Sequence, residues 1–360
     1  MLRLLLAQRV RGHQAELACP DAPAGAGPGL VERARDAGVE PLCRLGRGRG
    51  ARWWRDRADT GRLRALLRAH RFDVIHAWHT RDHALAWRAA GPRRQGEGPR
   101  IVRSYGRAQR ISRWPWNRLL FGAGTDALLC VSREAARANA GLCRGRPVVG
   151  AFGAVDVGRF QPGPAPETVR ASLGLEPQHR VVGIVARVQR HRRFDLLLEA
   201  MRELAAGDPD ARLLVVGRGT HLDDLAREPA SRLGIADRVI FAGYRQGDYA
   251  DVLRAMDLFT FLVPGSDGTC RALLEANACG IPAVTSRRGA LPEIVLDGET
   301  GLLVDERPDA LCAGWRSLLG DPERRLRMGR AARRRAERHF APAVLADAVE
   351  RLYGASAGPT

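Results

Sequence analysis

The chain has 360 residues, 45% hydrophobic and 27% charged, a composition that fits a globular protein of two domains better than one. No apolar run reaches the ~18 residues of a membrane helix, and the apolar start at Met1–Leu6, cut by Gln8, Arg9 and Arg11, does not read as a signal peptide. The net charge is +18 and all 58 basic residues are arginine, which suits either an anionic partner or a genome that replaces lysine with arginine; the second reading is preferred.

In chain order, the first half opens inside a helical pattern, "LRLLLAQRVRGH". Six short strands then follow: "QAELACP" (14–20), "VEPLCRL" (39–45), "FDVIHAW" (72–78), "PRIVRSY" (99–105), "DALLCVS" (126–132) and "RPVVGAF" (146–152). The proline-rich "FQPGPAPE", Phe160–Glu167, reads as a linker. The second half repeats the rhythm more clearly, with "RVVGIVARV" (180–188), "ARLLVVGRG" (211–219), "RVIFAGY" (238–244), "LFTFLVPG" (258–265), "IPAVTS" (281–286) and "GLLVDE" (301–306). Strands alternating with helices predict two doubly wound, Rossmann-like α/β domains facing a cleft. The expected boundaries are 1–162, 163–340 and a last helix, 341–360, that crosses back to the first domain. A domain of this kind should open with a strand and a glycine-rich turn. The first strand is therefore missing, and it is expected upstream of Met1; the alternative is a degenerate relative.

Ligands in such sheets bind beside the strand-to-helix turns at the carboxyl ends of the strands. Two of those turns carry anion-binding chemistry. In "VPGSDGTCRALLEANACGIPAV" (263–284), a glycine-rich turn feeds a helix, so Gly268, Thr269 and Cys270 can offer backbone amides to phosphate, with Arg271 adding charge. Glu275 lies one helical turn after Arg271 and could reach a sugar hydroxyl, while Asp267 in the turn could hold a second sugar. The turn after "VVGIVAR" carries Arg187, Arg190, Arg192 and Arg193, and guanidinium groups bind phosphate bidentately.

These elements together resemble a retaining glycosyltransferase of the GT-B fold, glycosyltransferase family 4, from about residue 5 to about residue 345. The family's E-x7-E element is matched by "DGTCRALLE", with Asp267 for the first glutamate and Glu275 for the second. Its "GR…K" turn is matched by "ARVQRHRRFD", where Arg192 stands in place of lysine. "GAVDVGRFQP", "VSREA", "VVGRG", "VIFAGY", "EANACGIPAV" and "LPEIVLDGETGLLV" follow in the family's order. The resemblance implies that Glu275 binds the ribose of a nucleotide-sugar, that Asp267 contacts the transferred sugar, and that Arg187 and Arg192 with the turn amides hold the diphosphate. It implies no metal and no other cofactor. The acceptor is expected to be a glycan or lipid-linked molecule in lipopolysaccharide or polysaccharide biosynthesis, handled in the cytoplasm at the inner face of the membrane. Departures from the family pattern are the shorter Asp267, Tyr105 where a histidine is common, and the absent first strand.

Three other features have ordinary readings. His76, His79 and His83 in "HAWHTRDH" lack a third kind of metal ligand and line an acceptor pocket or the surface; His76, His79 and Tyr105 are the weak acceptor-side candidates. Arg324–Arg338 reads as the solvated face of a helix, with a basic skirt for anionic lipids as the alternative. Seven cysteines without a CxxC pair read as reduced, buried thiols, and "DPD" at Asp208–Asp210 as a turn rather than a metal site. The competing functions are a GT-B epimerase, a non-catalytic relative that binds a nucleotide or partner without turnover, and a nucleic-acid binder, which the sheet-edge motifs do not require.

Overall fold

The computed structural model describes residues 1–20, 29–46, 53–91, 98–264 and 268–354. By its contacts the chain separates into two units, Met1–Ala151 together with the chain from Leu345 on, and Phe152–Val344.

Each strand of the first unit falls inside a segment read from the sequence. β1 (Ala18–Pro20) and β2 (Cys43–Leu45) pair in parallel as a sheet of two, and β3 (Val74–Ala77), β4 (Arg100–Tyr105), β5 (Ala127–Cys130) and β6 (Val148–Gly150) form a second parallel sheet in that order. Among the described residues no strand joins the two sheets. The helix Leu2–Val10 instead contributes to both cores: Leu5 packs with Leu17, Cys19, Val31, Ala34 and Val39, and Leu4 with Val102, Ala127 and Leu129. From the chain's last described helix, Pro342–Gly354, the side chains of Ala346, Val349 and Leu352 join the Leu4 group.

His83 is fully buried in this unit. Its Nε2 lies 3.0 Å from the Gly124 carbonyl and 2.9 Å from Thr125 Oγ1, and its ring stands edge-on to Phe121. Burial pushes its pKa down to about 4. The same imidazole titrates near ~6.5 in the unfolded chain. Between those values the unfolded state binds the extra proton, so stability is full above about pH 6.5 and falls as pH drops toward 4. The expected slope from this residue is about 1.4 kcal/mol per pH unit. Urea unfolding of wild type and His83→Gln across that range checks it: the variant should start less stable and lose less on acidification, and parallel curves would refute the assignment.

The second unit has six parallel strands: β7 (Arg180–Val185), β8 (Ala211–Val216), β9 (Val239–Gly243), β10 (Leu258–Phe261), β11 (Ala283–Ser286) and β12 (Gly301–Val304), in the order β12-β11-β10-β7-β8-β9. The central strands are apolar on both faces, as a sheet covered by helices on both sides requires. The chain starts at β7, winds one way to β9, then returns to β10 on the other side of β7. The pair β7/β10 is therefore the point where strand order reverses, the place where sheets of this kind bind their ligands.

Two sequence expectations need correction. The boundary lies at Ala151/Phe152 rather than at 162/163. Residues 152–162 belong to the second unit because Phe160 is 1% exposed in its core and the Val155 amide donates to the Phe340 carbonyl. The helix Pro322–His339 is also not merely a solvated face. Arg333 donates to the carbonyls of Phe160 (2.6 Å), Ala278 (2.7 Å) and Val157 (3.1 Å), and Arg335 to those of Ile294 and Glu293. Arg333 thereby caps the end of the helix Arg271–Ala278, whose last carbonyls have no partner within the helix.

Within that helix Asn277 is completely buried, and among the described residues neither its amide nitrogen nor its amide oxygen has a partner. A buried unsatisfied amide costs about 1–3 kcal/mol. Asn277→Met, a replacement of similar reach without the polar atoms, is expected to raise the melting temperature by about 2–12 °C. A lower melting temperature in a calorimetric scan would show that the amide is satisfied.

Candidate functional site

The reversal at β7/β10 brings both motif-bearing turns to one edge. After β7 the backbone reaches Arg187, which is exposed, and then a short 3-10 turn, Arg190–Arg192. Arg192 extends toward β10: it donates to the Val263 carbonyl at 2.7 Å, and its guanidinium lies 5.1 Å from the centre of the Phe261 ring. This fixes one of the expected diphosphate ligands at the start of the glycine-rich turn. Arg193 is used differently, because it takes the left-handed conformation ahead of the next helix and pairs with Asp195 and Glu306. Asp267, with Gly265 and Ser266, lies outside the described residues.

On the far side of the turn, Gly268 and Cys270 are buried and Thr269 partly so. Cys270 precedes the helix Arg271–Ala278 with φ of 48°, a left-handed conformation that costs a non-glycine residue about 1–3 kcal/mol. Among the described residues no side chain caps the start of this helix, and the Cys270 carbonyl accepts the amides of Leu273 and Leu274. The first amides of a helix have no acceptor within it and lie at the positive end of the helix dipole. Arg271 is exposed beside them.

Glu275 is 6% exposed on the buried face of this helix. Its Oε2 accepts a hydrogen bond of 2.9 Å from the Tyr249 hydroxyl. Burial, and then the Glu275 charge, push the Tyr249 hydroxyl far above its ordinary range, so the phenol stays a donor and the carboxylate an acceptor. Tyr249 is in turn held edge-on by Phe160, at 5.8 Å between ring centres. Nothing in the sequence marks Tyr249, since a lone tyrosine 26 positions from its partner carries no periodic signal.

The turn after β8 was also missed as a participant. "VVGRG" places Gly217 and Gly219 directly against the turn after β7: a side chain at Gly217 would overlap the Ala186 carbonyl oxygen, and one at Gly219 that of Val188. These glycines set how closely the backbone around Arg187 can be held.

In the first unit the expected acceptor-side residues separate. Both ring nitrogens of His76 are engaged at 2.7 Å, Nδ1 with the Tyr353 hydroxyl and Nε2 with Ser104 Oγ, and burial pushes its pKa down to about 3. His79 is exposed ahead of the helix Thr80–Ala90, and its amide donates to Asp82. Tyr105 ends β4, half-buried. Among the described residues no three His, Cys, Asp or Glu side chains converge as a metal site. Asp208 is a turn residue paired with Arg180 and bonded to the Asp210 amide. Burial pushes the Cys130 and Cys279 thiols up to about 12, which leaves them inert.

Comparison with known proteins bears on both units. A family model described as Glycosyl transferases group 1 matches residues 166–335, and one described as Glycosyltransferase Family 4 matches residues 1–148. The chain is 40% identical over 209 residues to a D-inositol 3-phosphate glycosyltransferase of Segniliparus rotundus, a match spanning 56% of this chain and 45% of that protein. It is 39% identical over 191 residues to a GDP-mannose-dependent alpha-(1-6)-phosphatidylinositol monomannoside mannosyltransferase of Mycolicibacterium smegmatis, spanning 50% of this chain and 49% of the relative. The chain thus spans about half the length of the curated relatives it matches. Among solved structures, a glycosyltransferase from Rickettsia africae superposes with a TM-score of 0.82 at 13% identity, covering 100% of this chain and 94% of that one. Anabaena HepE, solved in complex with UDP and glucose, gives 0.76 at 17% identity, covering 98% and 96%.

Proposed function

Because the chain belongs to the GT-B glycosyltransferases of family 4 type, we propose that it moves a sugar from a nucleoside diphosphate sugar to a glycan or lipid-linked acceptor with retention of anomeric configuration. The observation that carries this reading is the edge at β7/β10, where Arg192, the start of the helix Arg271–Ala278 and the Tyr249–Glu275 pair meet. In this reading Arg187 and Arg192 hold the diphosphate with the amides of Gly268, Thr269 and Cys270. Glu275 accepts the ribose hydroxyls, and Asp267 contacts the transferred sugar.

The bond between the sugar's anomeric carbon and the β-phosphate oxygen breaks while the acceptor oxygen bonds to the same face. The acceptor proton passes to the departing phosphate oxygen, so charge balances without a separate base. Guanidinium groups and helix amides carry the diphosphate charge, and the scheme calls for no metal. On the acceptor side, His79 and Tyr105 remain the candidates, because both ring nitrogens of His76 are already bonded. The relatives' names specify D-inositol 3-phosphate and phosphatidylinositol monomannoside. Inositol phosphates and mannolipids therefore stand beside lipopolysaccharide and polysaccharide glycans as acceptors to test. An acceptor presented at the inner face of the membrane suits the net charge of +18.

A thermal-shift panel with UDP, GDP, ADP, TDP and CMP tests the donor side. A ligand that binds only the folded state raises the midpoint, so one nucleotide should do so and name the base. A flat panel on a cooperatively melting protein would remove the donor assignment. Binding without sugar release would identify a relative that has lost turnover.

A further inference from the structure

The stretch 106–122, between β4 and β5, has four arginines, at 107, 110, 113 and 118, and no acidic residue. Its helix, Pro115–Gly122, buries Leu120 and Phe121 in the first-unit core and turns its other side outward. There Trp114 is 70% exposed, Leu119 45% and Trp116 37%. The four arginines are all exposed. Trp116 is steadied by Trp87, at 6.0 Å between ring centres, and by the Arg88 guanidinium, 5.7 Å from the centre of the Trp116 ring. Trp114 and Leu119 are the two most exposed of these three side chains.

Exposed indoles and an aliphatic tip ringed by guanidinium groups match the chemistry of a lipid interface. Indole settles at the headgroup level, the apolar tip enters the acyl boundary, and arginine meets lipid phosphate. A nucleic acid would use the arginines but leave Leu119 without a role. Another basic stretch, Arg324–Arg338, lacks any aromatic residue, and it spends Arg333 and Arg335 on backbone carbonyls. We propose that residues 106–122 are a docking face for an anionic membrane surface, with Trp114 and Leu119 inserted and Arg107, Arg110, Arg113 and Arg118 on lipid phosphates. The purpose of this face rests on the reading of a membrane-borne acceptor. Its test needs neither donor nor turnover, so the two can fail separately.

The full chain is floated with vesicles of phosphatidylcholine alone and of equal parts phosphatidylcholine and phosphatidylglycerol. Binding is expected only to the anionic vesicles, and Trp114→Ser with Leu119→Ser should weaken it at least about tenfold. Arg110→Glu with Arg113→Glu should do the same. Arg330→Glu with Arg334→Glu, an equal charge change at exposed positions of the helix Pro322–His339, should stay within about twofold. Melting curves by circular dichroism confirm folding, and the nucleotide-induced shift is read on the same samples. No flotation of the wild type overturns the proposal, as does unchanged binding of the Trp114/Leu119 variant. Equal loss in the Arg330/Arg334 variant would show bulk charge alone. Preference for a duplex DNA probe, lost with the Arg110/Arg113 pair but not with the Trp114/Leu119 pair, would assign the face to nucleic acid instead.

Discussion

Glu275→Ala is expected to weaken nucleotide-sugar binding by about 10- to 100-fold, the loss of hydrogen bonds to a charged group worth about 1.5–3 kcal/mol. The effect should be large because Glu275 is almost completely buried and already oriented by the Tyr249 hydroxyl. Little of its binding strength is spent on ordering the side chain. Removing the carboxylate also leaves the buried phenol without its acceptor, so a lower melting temperature should accompany the loss of affinity. Tyr249→Phe separates the two effects. It keeps the carboxylate but removes one of its donors, and should weaken binding less, by about tenfold or below. Titration calorimetry with the nucleotide that the thermal panel selects reads both variants. Wild-type affinity in a folded Glu275→Ala protein would take the ribose contact away from this residue.

The second large effect is on stability. Arg333→Ala is expected to cost the second unit about 2–4 kcal/mol, because the carbonyls of Val157, Phe160 and Ala278 lose their donor together. For a unit of this size that corresponds to a fall of about 4–16 °C in the melting temperature. Arg333→Lys should recover only part of it, since an ammonium cannot reproduce the planar fork that reaches three carbonyls. Calorimetry on both variants decides: a shift under about 1 °C would mean that water replaces the guanidinium without penalty. The substitution also loosens the end of the helix that carries Glu275, so donor affinity should fall with it.

Much of this architecture is legible in the residues themselves. The strands and the helices between them follow from local apolar periodicity, and local periodicity needs no knowledge of the rest of the chain. The glycine-rich turn before Arg271 and the arginines after β7 were readable for the same reason, because each is a compact motif with its own chemistry. Arg187, Arg192, Gly268, Thr269, Cys270, Arg271 and Glu275 were placed by such motifs, and strand order brings their turns to one sheet edge.

What the tertiary structure decided are the pairings between distant positions. Tyr249 and Glu275 are 26 residues apart, and Arg333 and Phe160 are 173 apart. A proline-rich stretch read as a linker, yet Phe160 at its start is core, because burial depends on what packs from elsewhere and not on neighbouring composition. The same holds for the histidines. "HAWHTRDH" looks like one cluster along the chain, but β3 and the following helix send His76 to Tyr353 and Ser104, His79 to the surface and His83 to Thr125. Sequence alone determined the elements and the residue types of the two turns proposed to hold the diphosphate. Which side chains support those turns, and which arginines are spent on carbonyls rather than left for a partner, was set only when non-local packing chose among them.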